Sequence, residues 1–240
     1  PLLRVVAMRT PVARVFLLSI ALAALGTTLL TASASAQVDQ DHAVWAGATA
    51  TQELNRGDHP VALWLDVHRR QDTTATAMIV RPGIGVFVNS WLSLWAGYAW
   101  TPVYPDDAAR RDEHRFWYQA WINTPIGGGF AFQARGRMEH RFSPLGDDVA
   151  HRFRQFVRLG WMHATQPVGF VVWDELFLGF AGSDWGAVEG YDQNRFFVGP
   201  VFKIASWARV EPGYLVVHLD REPYRLVHAV AVNLFFSGTR

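Results

Sequence analysis

The chain has no cysteine, so disulfides and thiolate chemistry are excluded. It has almost no lysine: Lys203 stands alone beside 21 arginines. High genomic GC content would account for most of that bias, and arginine's planar fork also suits packed ion pairs better than lysine's point charge does. Net charge is nearly absent, +1 over 240 residues, so no global basic field points to nucleic acid. Beyond residue 36 there is no run of 18 apolar residues, which excludes a transmembrane helix there, and no stretch holds a helical period for three turns. Gly-x-Ser-x-Gly does not occur, and no Ser and His share a local motif. Gly127-Gly128-Gly129 precedes an alternating segment, not a helical one, and reads as a turn instead of a phosphate loop.

What is present points elsewhere. Half the residues are hydrophobic, with 11 Trp and 16 Phe, which excludes disorder. At the N-terminus Arg4, Arg9 and Arg14 precede an apolar run from Val15 to Leu30, and then Thr31-Ala32-Ser33-Ala34-Ser35-Ala36. A positive region, a hydrophobic region and a small-x-small site make a secretory signal peptide, cut after Ala36, for which Met8 would be a start of ordinary spacing. Residues 1–36 are therefore read as a signal peptide and 37–240 as one domain.

That domain repeats a single device: about ten alternating residues, then turn residues. The segments are 44–54, 61–70, 76–88, 91–101, 113–123, 129–142, 152–164, 168–180, 193–205, 207–218 and 224–236. Tight links such as Asn89-Ser90, Thr124 to Gly128, Thr165-Gln166-Pro167 and Ser206 alternate with longer polar ones, 102–112, 143–151, 181–192 and 220–223. A Greek-key sandwich has no reason to alternate its connections this way, whereas a membrane barrel with turns at one end and loops at the other does. The spacing predicts an all-β chain, an antiparallel transmembrane β-barrel. An even strand number is the rule for bacterial barrels, so eleven segments imply twelve strands, or ten. The segment at 76–88, with Pro82-Gly83 inside it, and the first segment are those expected to split or to leave the wall. Trp45, Trp91, Trp100, Tyr104, Trp161, Trp185, Trp207, Tyr214 and Tyr224 recur near segment ends and as a set suit interfacial girdles.

Successive strand side chains alternate between faces. Parity therefore puts Arg81, Glu113, Arg115, Arg135, Arg137, Glu139, Arg141, Arg152, Arg154, Arg158, Glu175, Arg195, Arg209 and Glu211 on a lumen face, opposite a mostly apolar face turned to lipid. Arg135, Arg137, Glu139 and Arg141 follow one another at about 6.5–7 Å, so a partner strand can interleave its own charges. Ten arginines against four carboxylates allow two roles: an ion-pair filling for a narrow barrel, or a positively lined passage for small anionic solutes.

The chain resembles a family of bacterial outer-membrane β-barrel proteins known as domain of unknown function 2490. Leu94-Trp95-Ala96-Gly97-Tyr98, Glu113 to Trp117, Arg135 to Arg141, Arg152-Phe153-Arg154, Asp174 to Phe177, Tyr191 to Arg195 and Glu211 to Tyr214 carry the resemblance. It implies a barrel in the cell outer membrane and no activity.

The expected partners are thus outer-membrane lipid, the barrel-assembly machinery (the near-terminal Phe236 resembles its signal, though Ser237 to Arg240 follow) and small anionic solutes, with no nucleic acid and no cofactor. Two alternatives stand beside this. A lipid-modifying acyl hydrolase or transferase would draw on His140, His151, His163, His218 or His228, Asp174 and Glu175, and Ser143 or Ser183; a soluble periplasmic β-sandwich would bind a ligand. Carboxylate pairs at Asp106-Asp107, Asp112-Glu113 and Asp147-Asp148 read as solvated loop charge and not as a metal site.

Overall fold

The structure is a computed structural model and describes residues 38–238. The expected signal peptide lies outside the described residues. Among them are eleven strands and no helix: β1 (Val38–Glu53), β2 (Val61–Gln71), β3 (Ala75–Phe87), β4 (Leu92–Pro105), β5 (Arg111–Gly127), β6 (Phe130–Phe142), β7 (Ala150–Met162), β8 (Val168–Gly179), β9 (Gly190–Ala205), β10 (Ala208–Leu219) and β11 (Tyr224–Gly238). Each pairs with its chain neighbours in antiparallel hairpins, and the sheet closes on itself. The β5–β6 turn has only two residues, and it needs glycine: Gly128 and Gly129 have φ of 60° and 83°.

Closure corrects the expectation of twelve strands, or ten. Eleven strands joined by hairpins leave the first and last pointing the same way, so they can pair only in parallel. They do, from Val38↔Tyr224 to Gln52↔Gly238. A parallel ladder satisfies backbone donors and acceptors as an antiparallel one does, so nothing forces an even count. Neither suspected segment leaves the wall. Pro82 sits mid-strand in β3, facing outward; register pairs to β4 run Val80↔Trp100, then Gly83↔Gly97, without a slip. The alternation of loop lengths is also softer than expected. The end bearing the long 143–149 and 180–189 connections includes the short 72–74, and the opposite end includes the seven residues 54–60.

The walls are inverted relative to a water-soluble barrel. On β5, Phe116, Tyr118 and Ala120 point out while Arg115, Trp117 and Gln119 are buried inside. The same inversion leaves Val44 and Val230 each 64% exposed and Ile204 67% exposed, with Arg137 at 0% and Glu139 and Glu211 at 1%. The interior is not uniformly charged. Beside β1 and β8–β11 it holds an apolar cluster that includes Ala43, Val171, Phe197, Leu215 and Ala229. A smaller cluster joins Ala62, Trp95, Ala99 and Trp117. Inward glycines make room for the rings: a Cβ on Gly83 or Gly97 would come within 2.7 or 2.5 Å of the Trp117 indole.

Candidate functional site: the charged interior

The interior charges form a connected path. Asp192 accepts from Arg152 Nη1 at 3.0 Å, and Arg152 Nη2 donates to Glu139 at 2.7 Å. Glu139 also accepts from Arg154 Nη1 at 2.5 Å, and Arg154 Nη2 reaches Glu175 at 2.7 Å. Glu175 further holds Arg135. Arg135 on β6 and Glu175 on β8 are not in neighbouring strands, nor are Arg158 on β7 and Glu211 on β10, which meet at 2.6 Å. In a closed barrel such pairs can form only through the inside. Three further groups flank the path: Glu113 between Arg115 and Arg141, Glu211 with Arg209 as well as Arg158, and Asp66 with Arg81 and His68.

Positive charge outnumbers negative. Among the described residues eight arginines are buried against six Asp and Glu side chains. Two guanidinium groups stand out. Arg137 has Glu139 no nearer than 3.9 Å, donates Nε to Gln119 at 2.7 Å, lies 4.5 Å from the Trp117 ring, and has no hydrogen-bond partner for either Nη. Arg70 is opposite Trp45 in the β1–β2 ladder, with its guanidinium carbon 4.3 Å from that ring and no partner for Nε. Arg195 reaches the same indole from β9, at 5.0 Å, with Phe177 at 4.3 Å.

Two cavities open inside the barrel. One, about 380 Å³, reaches from Trp45 toward the end bearing the 88–91 connection; the other, about 360 Å³, reaches toward the end bearing 180–189. Trp45, Arg70 and Arg195 are the residues that line both. They mark the partition.

Thus Arg81, Arg115, Arg135, Arg137, Glu139, Arg152, Arg154, Arg158, Glu175, Arg195 and Glu211 are buried inside, and Glu113, Arg141 and Arg209 are partly covered, with Arg209 toward the mouth. Sequence reasoning missed Asp66, Asp192 and Arg70. Asp66 and Arg70 share the parity of Trp64 and His68, a signal that was there to use. Asp192 had none, because a bulge opposite Phe177 and Leu178 turns both Asp192 and Gln193 inward. Trp45 faces inward, and Trp185 lies beside Arg141 with Cζ 5.0 Å from its ring, so neither belongs to an outer girdle. On the outer face stand three Tyr–His contacts, Tyr98 with His114, Tyr191 with His218 and Tyr214 with His228, and one His–His contact, His140 with His151.

The residues considered for acyl chemistry are scattered. Ser143 and Ser183 accept from the backbone amides of Leu145 and Ala187. Asp174 lies on the outer face bonded to Asn194, while Glu175 is inside. Of the carboxylate pairs, Asp112 and Glu113 are held by arginines, and Asp148 accepts from the Asp184 amide.

A closed sheet that is charged within and apolar without defines a β-barrel of inverted polarity. The chain belongs to the family described as Protein of unknown function (DUF2490), which matches residues 42–226. It is 33% identical over 233 residues to the Uncharacterized protein MexAM1_META1p0181 of Methylorubrum extorquens, covering 92% of this chain and 96% of that one. Among solved structures, the KdgM porin in complex with disordered oligogalacturonate is similar with a TM-score of 0.41 and 9% identity, over 75% of this chain and 92% of that chain. A likeness at that level carries no argument about function.

Proposed function

We propose that this protein is an outer-membrane β-barrel that admits small anionic solutes to an arginine-rich lumen. Membrane placement is supported by the outer face. Its exposed Val44, Ile84, Phe116, Tyr118, Phe170, Ile204 and Val230 would be unfavourable in water and are at home in hydrocarbon. The strands, 11–17 residues long, exceed the roughly 9–11 a tilted membrane strand needs. The reading of residues 1–36 as a signal peptide agrees with export.

The observation that carries the anion reading is the pair of cavities with guanidinium groups in excess around them. Arginine-lined pores select anions because a confined positive field lowers the energy of an anion and raises that of a cation. The ion-pair path lies on the β6–β9 side, and the two cavities, which meet at Trp45, Arg70 and Arg195, are the space an anion can enter.

Reconstitution in planar bilayers tests this. The expected outcome is a small conductance whose reversal potential in a KCl gradient shows preference for chloride. No conductance at any voltage would leave a filled, purely structural barrel. A folded band that shifts on heating before gel electrophoresis, from protein extracted only by detergent, checks the membrane placement separately.

A further inference from the structure

The larger cavity has an aromatic wall. Trp95, Trp64, Trp121, Phe156 and Trp173 touch in sequence, with ring centroids 5.4–5.9 Å apart, although they come from five different strands. Facing the same cavity are Arg70, Arg81, Arg135 and Arg195. Arg135 places its guanidinium carbon 4.9 Å from Phe156 and 5.5 Å from Trp121.

The buried polar atoms left without a hydrogen-bond partner at this wall are donors. Trp64 Nε1 and the Nε atoms of Arg70, Arg81 and Arg135 are buried without a partner, and all four side chains line this cavity. Of the four carboxylates that line it, Asp66, Glu175 and Glu211 are already engaged by cationic partners, and the fourth, Glu53, is the last residue of β1, at the end bearing the 54–60 connection. Arg70 has no carboxylate within ion-pair distance, and the Trp45 face is what meets its charge. A concave site with an aromatic wall and a few unpaired cationic donors selects a ligand with an apolar ring and one negative group.

We propose that the larger cavity is a binding site for a carboxylate carried on a ring, with the carboxylate at Arg70 and the ring against the Trp64–Trp121 wall. Trp45 then closes the site from the smaller cavity. This rests on the reading of the lumen as open to anions but does not require that they cross.

The test uses the full chain folded in detergent micelles and saturation-transfer NMR with three probes. Nicotinate has ring and charge, nicotinamide the ring alone, acetate the charge alone. Nicotinate is expected to bind about tenfold more tightly than either control, and Arg70→Gln to remove that advantage, the share expected of one charge-assisted contact. Arg70→Lys should restore part of it, while exposed Arg110→Gln should change nothing. Arg70 has no ion-pair partner to strand, so its variants keep the fold, checked by heat-modifiable gel mobility. Equal binding of the three probes, or nicotinate binding unchanged in Arg70→Gln, overturns the proposal. Because binding is read without transport, nicotinate binding with no bilayer conductance would sink the passage reading alone. Conductance without nicotinate binding would sink the site alone.

Discussion

At the scale of single residues, Glu139 has the most exacting position. It is fully buried, accepts from Arg152 and Arg154, and joins the two halves of the ion-pair path. Removing one member of a buried pair leaves the other charge desolvated and unmatched, which costs about 3–5 kcal/mol. Glu139→Ala should lower the stability of the micelle-folded barrel by that amount, read as urea unfolding followed by tryptophan fluorescence. Arg137→Met offers the contrast. Its Nη atoms have no hydrogen-bond partner, and Glu139, 3.9 Å away, keeps Arg152 and Arg154, so replacing the guanidinium with an apolar chain of similar length removes a desolvated charge and strands no carboxylate. The Arg137 variant should therefore lose much less than the Glu139 variant. Equal losses would mean that the barrel responds to volume inside and not to charge pairing.

At the scale of elements, the strands are legible because period-two alternation runs through most of each one and turn residues bracket most of them. Parity on β5, β6 and β7 places Arg115, Arg137 and Arg154 inside without any tertiary information. What defeated it was local or distant. The bulge before Gln193 shifts the phase by one residue, and so the alternation stops short of Asp192. Trp45 lies near a segment end, as interfacial aromatics do, but its odd position is shared with Asp41 and Ala43, which are buried inside. Gly83 and Gly97 carry no signal of their role in the sequence, where Pro82-Gly83 only marks its segment as one expected to split. They are seats: Gly83 and Gly97 face each other across the ladder, and Trp117 lies over both. Gly97→Ala puts a methyl group 2.5 Å from that indole and against the Pro82 carbonyl, neither of which can retreat in a closed wall. Overpacking of this kind costs about 1–3 kcal/mol. The same unfolding measurement checks it, and Trp117→Leu in the Gly97→Ala background should recover part of the loss by vacating the space.

At the scale of the whole molecule, closure is the feature that no local pattern reveals. Strand period, loop length and face composition are properties of neighbours in sequence, whereas the β1–β11 seam joins residues separated by nearly the full chain. The parity of the count then decides its direction: an odd number of hairpin-linked strands closes in parallel, and an even number does not. The absence of cysteine makes the seam directly testable, because an introduced pair has no competitor. Ala46→Cys with Val232→Cys places the two thiols at partnered positions on the outer face of the parallel register. Oxidation of the folded protein should join β1 to β11 and change its unreduced gel mobility, with the change undone by reductant. Ala46→Cys with Leu226→Cys moves one thiol six residues along β11, about 20 Å at strand rise, beyond the Cα separation a disulfide tolerates. That pair should stay reduced. If a further strand stood between β1 and β11, the first pair would fail as well, so cross-linking of the first and not the second is the signature of an eleven-stranded wall.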